Sequence, residues 1–369
     1  LMAALSPGRV VTLWGPGGIG KSAIAAEALH RLTNNGTGPP DQFPDGVIWH
    51  EFYNAPEAIR ALEQIARSFG QTPDPTPREA ALRALAGRNA LILLDGAEDA
   101  DDLPAVLSVT GGCAVIVTTR NRHDAGPDRL EINALPDDDS ADLLKAWGRD
   151  QTRDASAVRR ICDLLGGLPL AICLVGGYLD ETGDTAAEYL EWLETTPLDA
   201  LDQGDRKRDS VPLLLKRSLD QVSQTARDIL SVFGILAFDP VSPKPLAAAL
   251  QSSTQDLKRP LTELTRYALL TRTGPRYQLQ HTLIHTYARE TQPPPDPAVE
   301  HLADFFTAFA EEHTAAGLEG CTRLDLDRPH ILQTLTTCHA RGLWEPVGKL
   351  VWAIDDYLDI RGHWTDRRD

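Results

Sequence analysis

The sequence contains no uninterrupted run of about 20 apolar residues, the length that a membrane-spanning helix requires. It also shows no signal peptide before its first recognisable motif. We therefore expect a cytoplasmic protein with no membrane partner. Hydrophobic residues make up 42% and charged residues 24% of the chain, as in ordinary soluble proteins. Because 369 residues exceed what one hydrophobic core can serve, we expect two to four domains.

Cysteine is scarce, and its spacing carries no metal or disulfide pattern. The five cysteines are odd in number and form no Cys-x-x-Cys pair. This argues against a disulfide framework and against a zinc site, so we expect reduced and mostly buried thiols. They are Cys113, Cys162, Cys173, Cys321 and Cys338.

Basic residues are fewer than acidic residues in this sequence. Lys and Arg number 36 against 53 Asp and Glu, which leaves a formal net charge of −17 at pH 7. A surface of this sign repels phosphates, so binding to nucleic acid is disfavoured. The triplet Arg206-Lys207-Arg208 lies in a polar stretch with acidic flanks, which favours a solvated linker. A local basic patch is the alternative.

One short stretch carries the strongest chemical signal. The apolar run 10–14 predicts a strand, Gly-x-x-x-x-Gly-Lys-Ser follows it, and residues 23–29 are strong helix formers. The glycines predict positive φ angles and inward-pointing N–H groups at a helix N-terminus, which together bind anions. The alternative is a glycine-rich turn that happens to precede a helix. The residues expected to bind nucleotide are Gly15, Pro16, Gly17, Gly18, Ile19, Gly20, Lys21, Ser22 and Ala23.

Within this loop, Lys21 is expected to supply a charge to the β- and γ-phosphates, and the Ser22 hydroxyl to hold Mg²⁺. A second candidate metal residue, Asp95, follows the aliphatic run 91–94, which predicts a strand buried on both faces of a parallel sheet. Its carboxylate at the carboxyl end of the strand is expected to serve Mg²⁺, as a Walker B aspartate does. The alternative is a turn aspartate before Gly96.

A further buried strand is predicted at 114–119, and Arg120 ends it. At this sheet edge a guanidinium could sense the γ-phosphate, although an arginine at a strand end is common. With one more strand at 129–132, the order of elements predicts a parallel sheet flanked by helices as far as residue 134.

The remainder of the chain is predicted to be mostly helical. Helices at 140–147, 155–165 and 169–179 predict a small helical domain, and the polar stretch 200–210 is a candidate boundary. Helices at 211–219, 225–234 and 261–269, followed by two short strands in 270–279, are typical of a winged helix. The histidines at 281 and 285 lack the glutamate of a zincin and are expected to be ordinary helix residues.

After the break at 293–297, helices are predicted at 298–316, 328–341 and 344–361. The triplets Gly342-Leu343-Trp344 and Gly362-His363-Trp364 resemble each other at an offset of twenty residues, which hints at paired-helix repeats. The expected fold class is multidomain α/β plus α, with a P-loop NTPase parallel sheet and an α-helical repeat region that begins near the end. The expected domains are 1–134 (nucleotide-binding), 135–200 (small helical), 210–290 (winged helix) and 297–369 (a helical segment, expected to be truncated).

Taken in order, the motifs resemble the NB-ARC branch of the STAND signalling ATPases, whose bacterial members usually carry tetratricopeptide-like sensor repeats. The resemblance covers roughly residues 8–290, and Gly-Leu-Pro-Leu-Ala is its most specific short motif. The motifs that carry it are Gly15 to Ser22, Leu91 to Asp95, Thr118-Thr119-Arg120, Gly167-Leu168-Pro169-Leu170-Ala171 and His281.

The resemblance implies a switch that is closed around ADP at rest and opens with ATP to self-associate, with Mg²⁺ as the metal. It implies slow ATP hydrolysis that depends on Lys21, Asp95 and Arg120. It also implies that Pro169 packs on adenine and that His281 contacts the β-phosphate of ADP. The activating ligand and the effector are not indicated by the sequence.

Three departures from the family pattern matter. Gly96 stands where many relatives have an acidic residue, which leaves Glu98 and Asp99 as alternative bases and favours slow turnover. The Met-His-Asp motif is Gln280-His281-Thr282, so only the histidine carries over. The upstream Gly-Arg-Glu segment is absent, with Arg9, Val10 and Val11 the nearest candidates to frame adenine. We therefore expect the chain to be part of a longer polypeptide.

Two other functions stay open at this point. A remodelling ATPase with multiple turnovers would need a competent base beside Asp95, which Gly96 disfavours. A winged-helix transcriptional regulator would bind DNA, which the net charge opposes. A GTPase is disfavoured because the sequence has no Asn-Lys-x-Asp or Thr-Lys-x-Asp motif.

Overall fold

The computed structural model of the chain describes residues 1–33, 38–124, 128–195 and 210–368. It divides into two compact units, Leu1–Ala134 and Leu135–Asp369. The predicted boundary at 200–210 and the basic triplet at 206–208 lie outside the described residues, apart from position 210. The division of the chain into four domains stays a prediction.

The first unit is built on five parallel strands in the order β2-β3-β4-β1-β5. They are β1 (Val10–Trp14), β2 (Val47–Glu51), β3 (Leu91–Asp95), β4 (Ala114–Thr119) and β5 (Asp128–Glu131). The helices are α1 (Lys21–Leu32), α2 (Ala58–Ser68), α3 (Pro77–Leu85) and α4 (Leu103–Leu107). The predicted fold class, a parallel sheet with flanking helices followed by a helical region, is confirmed.

Two apolar clusters sandwich this sheet, which explains its aliphatic sequence. Along β3, Leu91 and Leu93 belong to one cluster, whereas Ile92 and Leu94 belong to the other. Successive side chains of a strand point to opposite faces, so a strand covered on both sides needs an apolar residue at every position. Every residue of β3 and β4 is buried. The carboxyl ends of these central strands are thereby held in fixed register.

The second unit is predominantly helical. Its described helices are α5 (Asp137–Gly148), α6 (Ala155–Leu165), α7 (Pro169–Thr182), α8 (Ala186–Thr195), α9 (Ser210–Gln221), α10 (Gln224–Phe233), α11 (Pro243–Ala249), α12 (Lys258–Arg266), α13 (Thr282–Thr291), α14 (Asp296–Ala315), α15 (Gly317–Ala340), α16 (Trp344–Ile360) and α17 (Trp364–Arg368). Strands β6 (Leu270–Thr273) and β7 (Arg276–Leu279) pair antiparallel, so the predicted hairpin is present. Three of the helices, α8, α11 and the short α17, were not predicted.

Helix α15 begins eleven residues before the predicted start at 328. Pro329 lies inside the helix rather than in its first turn. Cys321 and Leu324 are completely buried before the proline, and Ile331 is almost completely buried after it. Burial at helical spacing on both sides holds the helix together, although Pro329 donates no backbone hydrogen bond.

The two similar triplets adopt the same local structure. Gly342 and Gly362 follow the ends of α15 and α16 with φ angles of +71° and +67°. Trp344 and Trp364, two residues later, begin the next helices. This supports a repeated helix-turn-helix unit, while the tetratricopeptide-like assignment stays a prediction.

Two buried histidines form hydrogen bonds to the segment that connects α10 and α11. Nε2 of His285 donates to the carbonyl oxygen of Leu236 over 2.9 Å, and Nε2 of His330 donates to that of Pro240 over 3.2 Å. Burial lowers the pKa of each ring to about 4. Both rings are therefore neutral near pH 7, and they tie α13 and α15 to the same short segment.

These histidines predict that acid destabilises the second unit. In the unfolded chain they bind protons near pH 6.5, whereas in the folded unit they do so only near pH 4. The unfolded state therefore holds more protons between these values, and each ring removes about 3 kcal/mol of stability as the pH falls through this window. Asp239, whose pKa burial raises to about 6, opposes part of this loss because it is protonated first in the folded state.

Urea unfolding at pH 6.5 and pH 4, followed by circular dichroism, measures the loss. The variant His285→Gln keeps a donor for Leu236 but cannot titrate, so its loss of stability should be smaller by about 3 kcal/mol. His301→Gln, in a surface pair with Gln251, is the matched control and should behave as the wild type. Equal losses in His285→Gln and the wild type would show that His285 does not drive the pH dependence.

Candidate nucleotide-binding site

The loop between β1 and α1 has the conformation that the sequence predicts at two of its glycines. Gly18 and Gly20 have φ angles of +76° and +98°. Gly20 is the N-cap of α1, and no side chain of the described residues caps this helix. The first N–H groups of α1 are therefore left to the loop or to a bound anion.

The other two glycines of the loop differ from each other. A Cβ atom at Gly15 would lie 2.8 Å from the carbonyl oxygen of Ile132, so the position has no room for a side chain. The N–H group of Ile132 in turn donates to the carbonyl oxygen of Trp14 over 2.8 Å. Gly17 does not have a positive φ angle, so the prediction for that residue was wrong. Gly18 and Gly20 supply the left-handed conformations that turn the chain.

Lys21 begins α1 and bends back over the loop. Its Nζ atom donates to the carbonyl oxygens of Gly15 and Pro16, both over 2.9 Å. Only 8% of the residue is exposed to solvent. The loop thus holds a buried ammonium group at the N-terminus of a helix, a combination that attracts phosphate.

Ser22 and Asp95 are brought together, as predicted for a metal pair. The Ser22 hydroxyl donates to Oδ1 of Asp95 over 2.8 Å. The Thr118 hydroxyl also donates to this oxygen, and it accepts the backbone N–H of Gly96 over 3.0 Å. A carboxylate and a hydroxyl offer the oxygen ligands that Mg²⁺ prefers, so the residues present fit this metal.

Only 7% of Asp95 is exposed to solvent. Burial raises its pKa above the usual range, and the Glu98 charge acts in the same direction. The hydrogen bonds from Thr118 and Ser22 and the charge of Lys21 oppose this rise. These hydrogen bonds and the Lys21 charge thus favour the charged form of a carboxylate that burial disfavours.

Arg120 is paired with Glu98, a contact that was not predicted from the sequence. Its Nε lies 2.8 Å from Oε1 of Glu98, and its backbone N–H donates to Oε2 of Glu98 over 2.9 Å. Glu98 lies in a short 3-10 helix, Ala97–Asp99, that begins after Gly96 with a φ angle of +71°. Asp99, the other alternative base, has its pKa raised by burial and by Glu98.

Two further predicted residues belong to the second unit. Pro169 is in the first turn of α7, after Gly166 and Gly167 with φ angles of +62° and +65°. His281 is the N-cap of α13 rather than a residue within a helix, and its Nδ1 accepts the N–H of Leu283 over 3.0 Å. The nucleotide-binding roles of Pro169 and His281 stay predictions.

A cluster of metal ligands and a membrane-spanning helix are both absent from the described residues. Within residues 1–33, 38–124, 128–195 and 210–368, no three or more His, Cys, Asp and Glu side chains group in a way that could hold a metal ion. None of the helices in these ranges combines the length and apolar composition needed to cross a membrane.

Comparison with known proteins shows which proteins the chain is similar to. Residues 1–154 match the model of the NB-ARC domain. The regulatory protein AfsR of Streptomyces coelicolor is 28% identical over 348 residues, covering 86% of this chain and 33% of the relative. AfsR of Streptomyces griseus is 26% identical over 358 residues, covering 90% and 35%. The chain thus spans about a third of the length of these relatives.

A solved structure shows a similar fold for the chain. It is the Signal Transduction ATPase with Numerous Domains (STAND) protein with a tetratricopeptide repeat sensor from Pyrococcus horikoshii. The two share 14% sequence identity with a TM-score of 0.56, over 100% of this chain and 61% of the other. Together these findings confirm the resemblance to an NB-ARC type STAND ATPase.

The hydrogen bonds around Asp95 predict the effect of two threonine substitutions on neighbouring strands. Thr118→Val removes the donor to Asp95 and the acceptor of the Gly96 N–H, and should lower the free energy of unfolding by about 1–3 kcal/mol. Thr12→Val is the matched control, because Oγ1 of Thr12 is buried with no hydrogen-bond partner among the described residues. It should leave the stability unchanged or raise it. Urea unfolding measures both, and a similar loss in both variants would contradict the role of Thr118.

Proposed function

We propose that this chain is a nucleotide-dependent signalling switch that binds ATP and ADP with Mg²⁺, rests in an autoinhibited ADP state and self-associates when ATP replaces ADP. The observation that carries the proposal is the joining of Lys21, Ser22 and Asp95 at one edge of the parallel sheet. Lys21 contacts two carbonyl oxygens of the phosphate loop over 2.9 Å, and the 2.8 Å hydrogen bond from Ser22 to Asp95 links the start of α1 to the end of β3. Nucleotides bind at this edge of such sheets.

The phosphate loop offers three features that suit a nucleotide polyphosphate. Gly18 and Gly20 turn the backbone so that a helix N-terminus without a side-chain cap faces the loop. Lys21 places its ammonium group within the loop, on carbonyl oxygens that a phosphate oxygen can replace as its partner. This exchange favours binding, because a charge-assisted hydrogen bond to phosphate is stronger than one to a neutral carbonyl.

Ser22 and Asp95 would hold Mg²⁺ together with the phosphates. The Ser22 hydroxyl has lone pairs for a cation, and Asp95 contributes the negative charge. Mg²⁺ supplies neutralisation of the phosphate charge when it is bound. Thr118 keeps the carboxylate in place through its hydrogen bond, so the metal site is organised before the nucleotide arrives.

The residues after Asp95 fit a switch that hydrolyses ATP slowly better than they fit a remodelling ATPase. Gly96 has no carboxylate, and its left-handed conformation and bonded N–H fix its role in the chain turn. The nearby Glu98 already pairs with Arg120. The proposed role of Arg120 is to sense the γ-phosphate, which is the group that distinguishes ATP from ADP.

Pro169 and His281 complete the proposal on the strength of the family resemblance. Pro169 is proposed to contact adenine, and His281 to stabilise the ADP state. A residue that interacts with only one nucleotide state shifts the balance between the two states. The ATP state is proposed to expose the surface for self-association, and the activating ligand acts on this balance.

The first test is the nucleotide that the purified protein carries. Denaturation of fresh protein and anion-exchange chromatography should release near-stoichiometric ADP. Lys21→Ala should abolish this retention because it removes the buried ammonium group, whereas Lys145→Ala should not. Lys145 is a suitable control because it pairs on the surface with Asp142.

An unchanged affinity of Lys21→Ala for ATP and ADP would refute the phosphate-loop assignment. A wild-type protein that is empty after purification and hydrolyses added ATP steadily would favour the remodelling ATPase instead. Self-association is followed in the same preparations by light scattering after exchange of ADP for ATP. A particle mass independent of the nucleotide would remove self-association from the proposal.

The role of His281 can be separated from its helix cap. His281→Ala removes both the ring and the acceptor for the Leu283 N–H, whereas His281→Asn retains a side chain that caps helices well. If the ring stabilises ADP, both variants should weaken ADP more than ATP, by about 1–3 kcal/mol. Calorimetric titration measures these affinities. Equal losses for the two nucleotides would exclude His281 from the switch.

A further inference from the structure

Arg120 is held at two points by a single carboxylate. Glu98 receives the backbone N–H of Arg120 on one oxygen over 2.9 Å and lies 2.8 Å from its Nε with the other. The side chain of Glu98 is 16% exposed and that of Arg120 is 33% exposed. Such a partly buried two-point contact is more specific than a surface ion pair.

Both partners are attached directly to the central strands. Arg120 follows β4 without an intervening turn, and Glu98 lies three residues after Asp95, the last residue of β3. The turn between Asp95 and Glu98 is fixed by the bond from the Gly96 N–H to the Thr118 hydroxyl. The pair therefore bridges two neighbouring strands at the edge that carries the metal residues.

Negative charge accumulates at this edge. The Glu98 charge contributes to the raised pKa of Asp95 and to that of Asp99. Arg120 acts on Asp99 in the opposite direction. The γ-phosphate, which ATP has and ADP lacks, would bring further negative charge here, and the Arg120 guanidinium can offset it.

We propose that Glu98 is a positioning residue that competes with the γ-phosphate for Arg120 and thereby lowers the preference for ATP over ADP. The inference rests on the proposed function, because it assumes that Arg120 senses the γ-phosphate. The ion pair with Glu98 partly neutralises the Arg120 guanidinium, and ATP must displace Glu98 to bind it. ADP has no γ-phosphate and does not require Arg120 to change partner, so the resting state is favoured.

The test compares ATP and ADP affinities of the full chain by calorimetry in the presence of Mg²⁺. Glu98→Gln retains the shape of the side chain and an acceptor for the Arg120 N–H but removes the charge. It should increase the ratio of ATP affinity to ADP affinity about tenfold, within the range of ordinary coupling between sites. Asp99→Asn removes a charge from the same turn and should change the ratio much less.

A double-mutant cycle identifies Arg120 as the group through which Glu98 acts. In an Arg120→Ala background, Glu98→Gln should leave the ratio unchanged, because no guanidinium remains to be released. Glu98→Asp is a second variant with the charge retained and the reach shortened by one methylene. It should raise the ratio by a smaller factor, and thermal unfolding confirms that each variant is folded.

The outcomes separate the inference from the proposed function. A wild-type chain that binds neither nucleotide would refute the proposed function and the inference with it. A wild-type chain that binds both, with an unchanged or lower ratio in Glu98→Gln, would overturn the inference alone. A raised ratio that persists without Arg120 would also overturn it, since the effect would then be general electrostatics.

Discussion

The buried Asp95 carboxylate is the constraint on which the first unit depends. A charge that is 7% exposed is tolerated only when hydrogen bonds and a cation offset its loss of water. Ser22 at the start of α1 and Thr118 near the end of β4 supply those bonds. The residue that suits a metal ion therefore also joins a helix and two strands, so that the phosphate loop and the sheet edge form one connected structure.

Local sequence patterns predicted most of the sheet. The aliphatic runs of β3 and β4 predicted strands covered on both faces, and the motifs around Ser22 and Asp95 led us to expect that the two residues serve the same Mg²⁺ ion. Gly17 shows the limit of this reasoning, because a glycine permits a positive φ angle without requiring one. The contact between Glu98 and Arg120 was missed for a different reason. It joins residues 22 positions apart, and only the pairing of β3 with β4 brings them together.

The helical region was harder to predict, and the causes lie in particular residues. Pro329 resembles a helix start, yet burial on both sides overrides the missing hydrogen bond. Two prolines near the start of α11 concealed that helix. Helix α8 was overlooked although its buried residues, Ala186, Tyr189 and Leu193, show helical spacing. In the first two cases tertiary packing outweighed local preference, while the third signal was present in the sequence.

The close approach of Ile132 to Gly15 has a mechanical consequence. Ile132 lies two residues before the end of the first unit, and its N–H group is bonded to Trp14, the residue just before the phosphate loop. The carbonyl oxygen of the same residue occupies the space that a side chain at Gly15 would need. A force that pulls on the chain after residue 134 would therefore act on the start of the phosphate loop. It would act through the hydrogen bond from Ile132 to Trp14 and through the steric contact of Ile132 with Gly15.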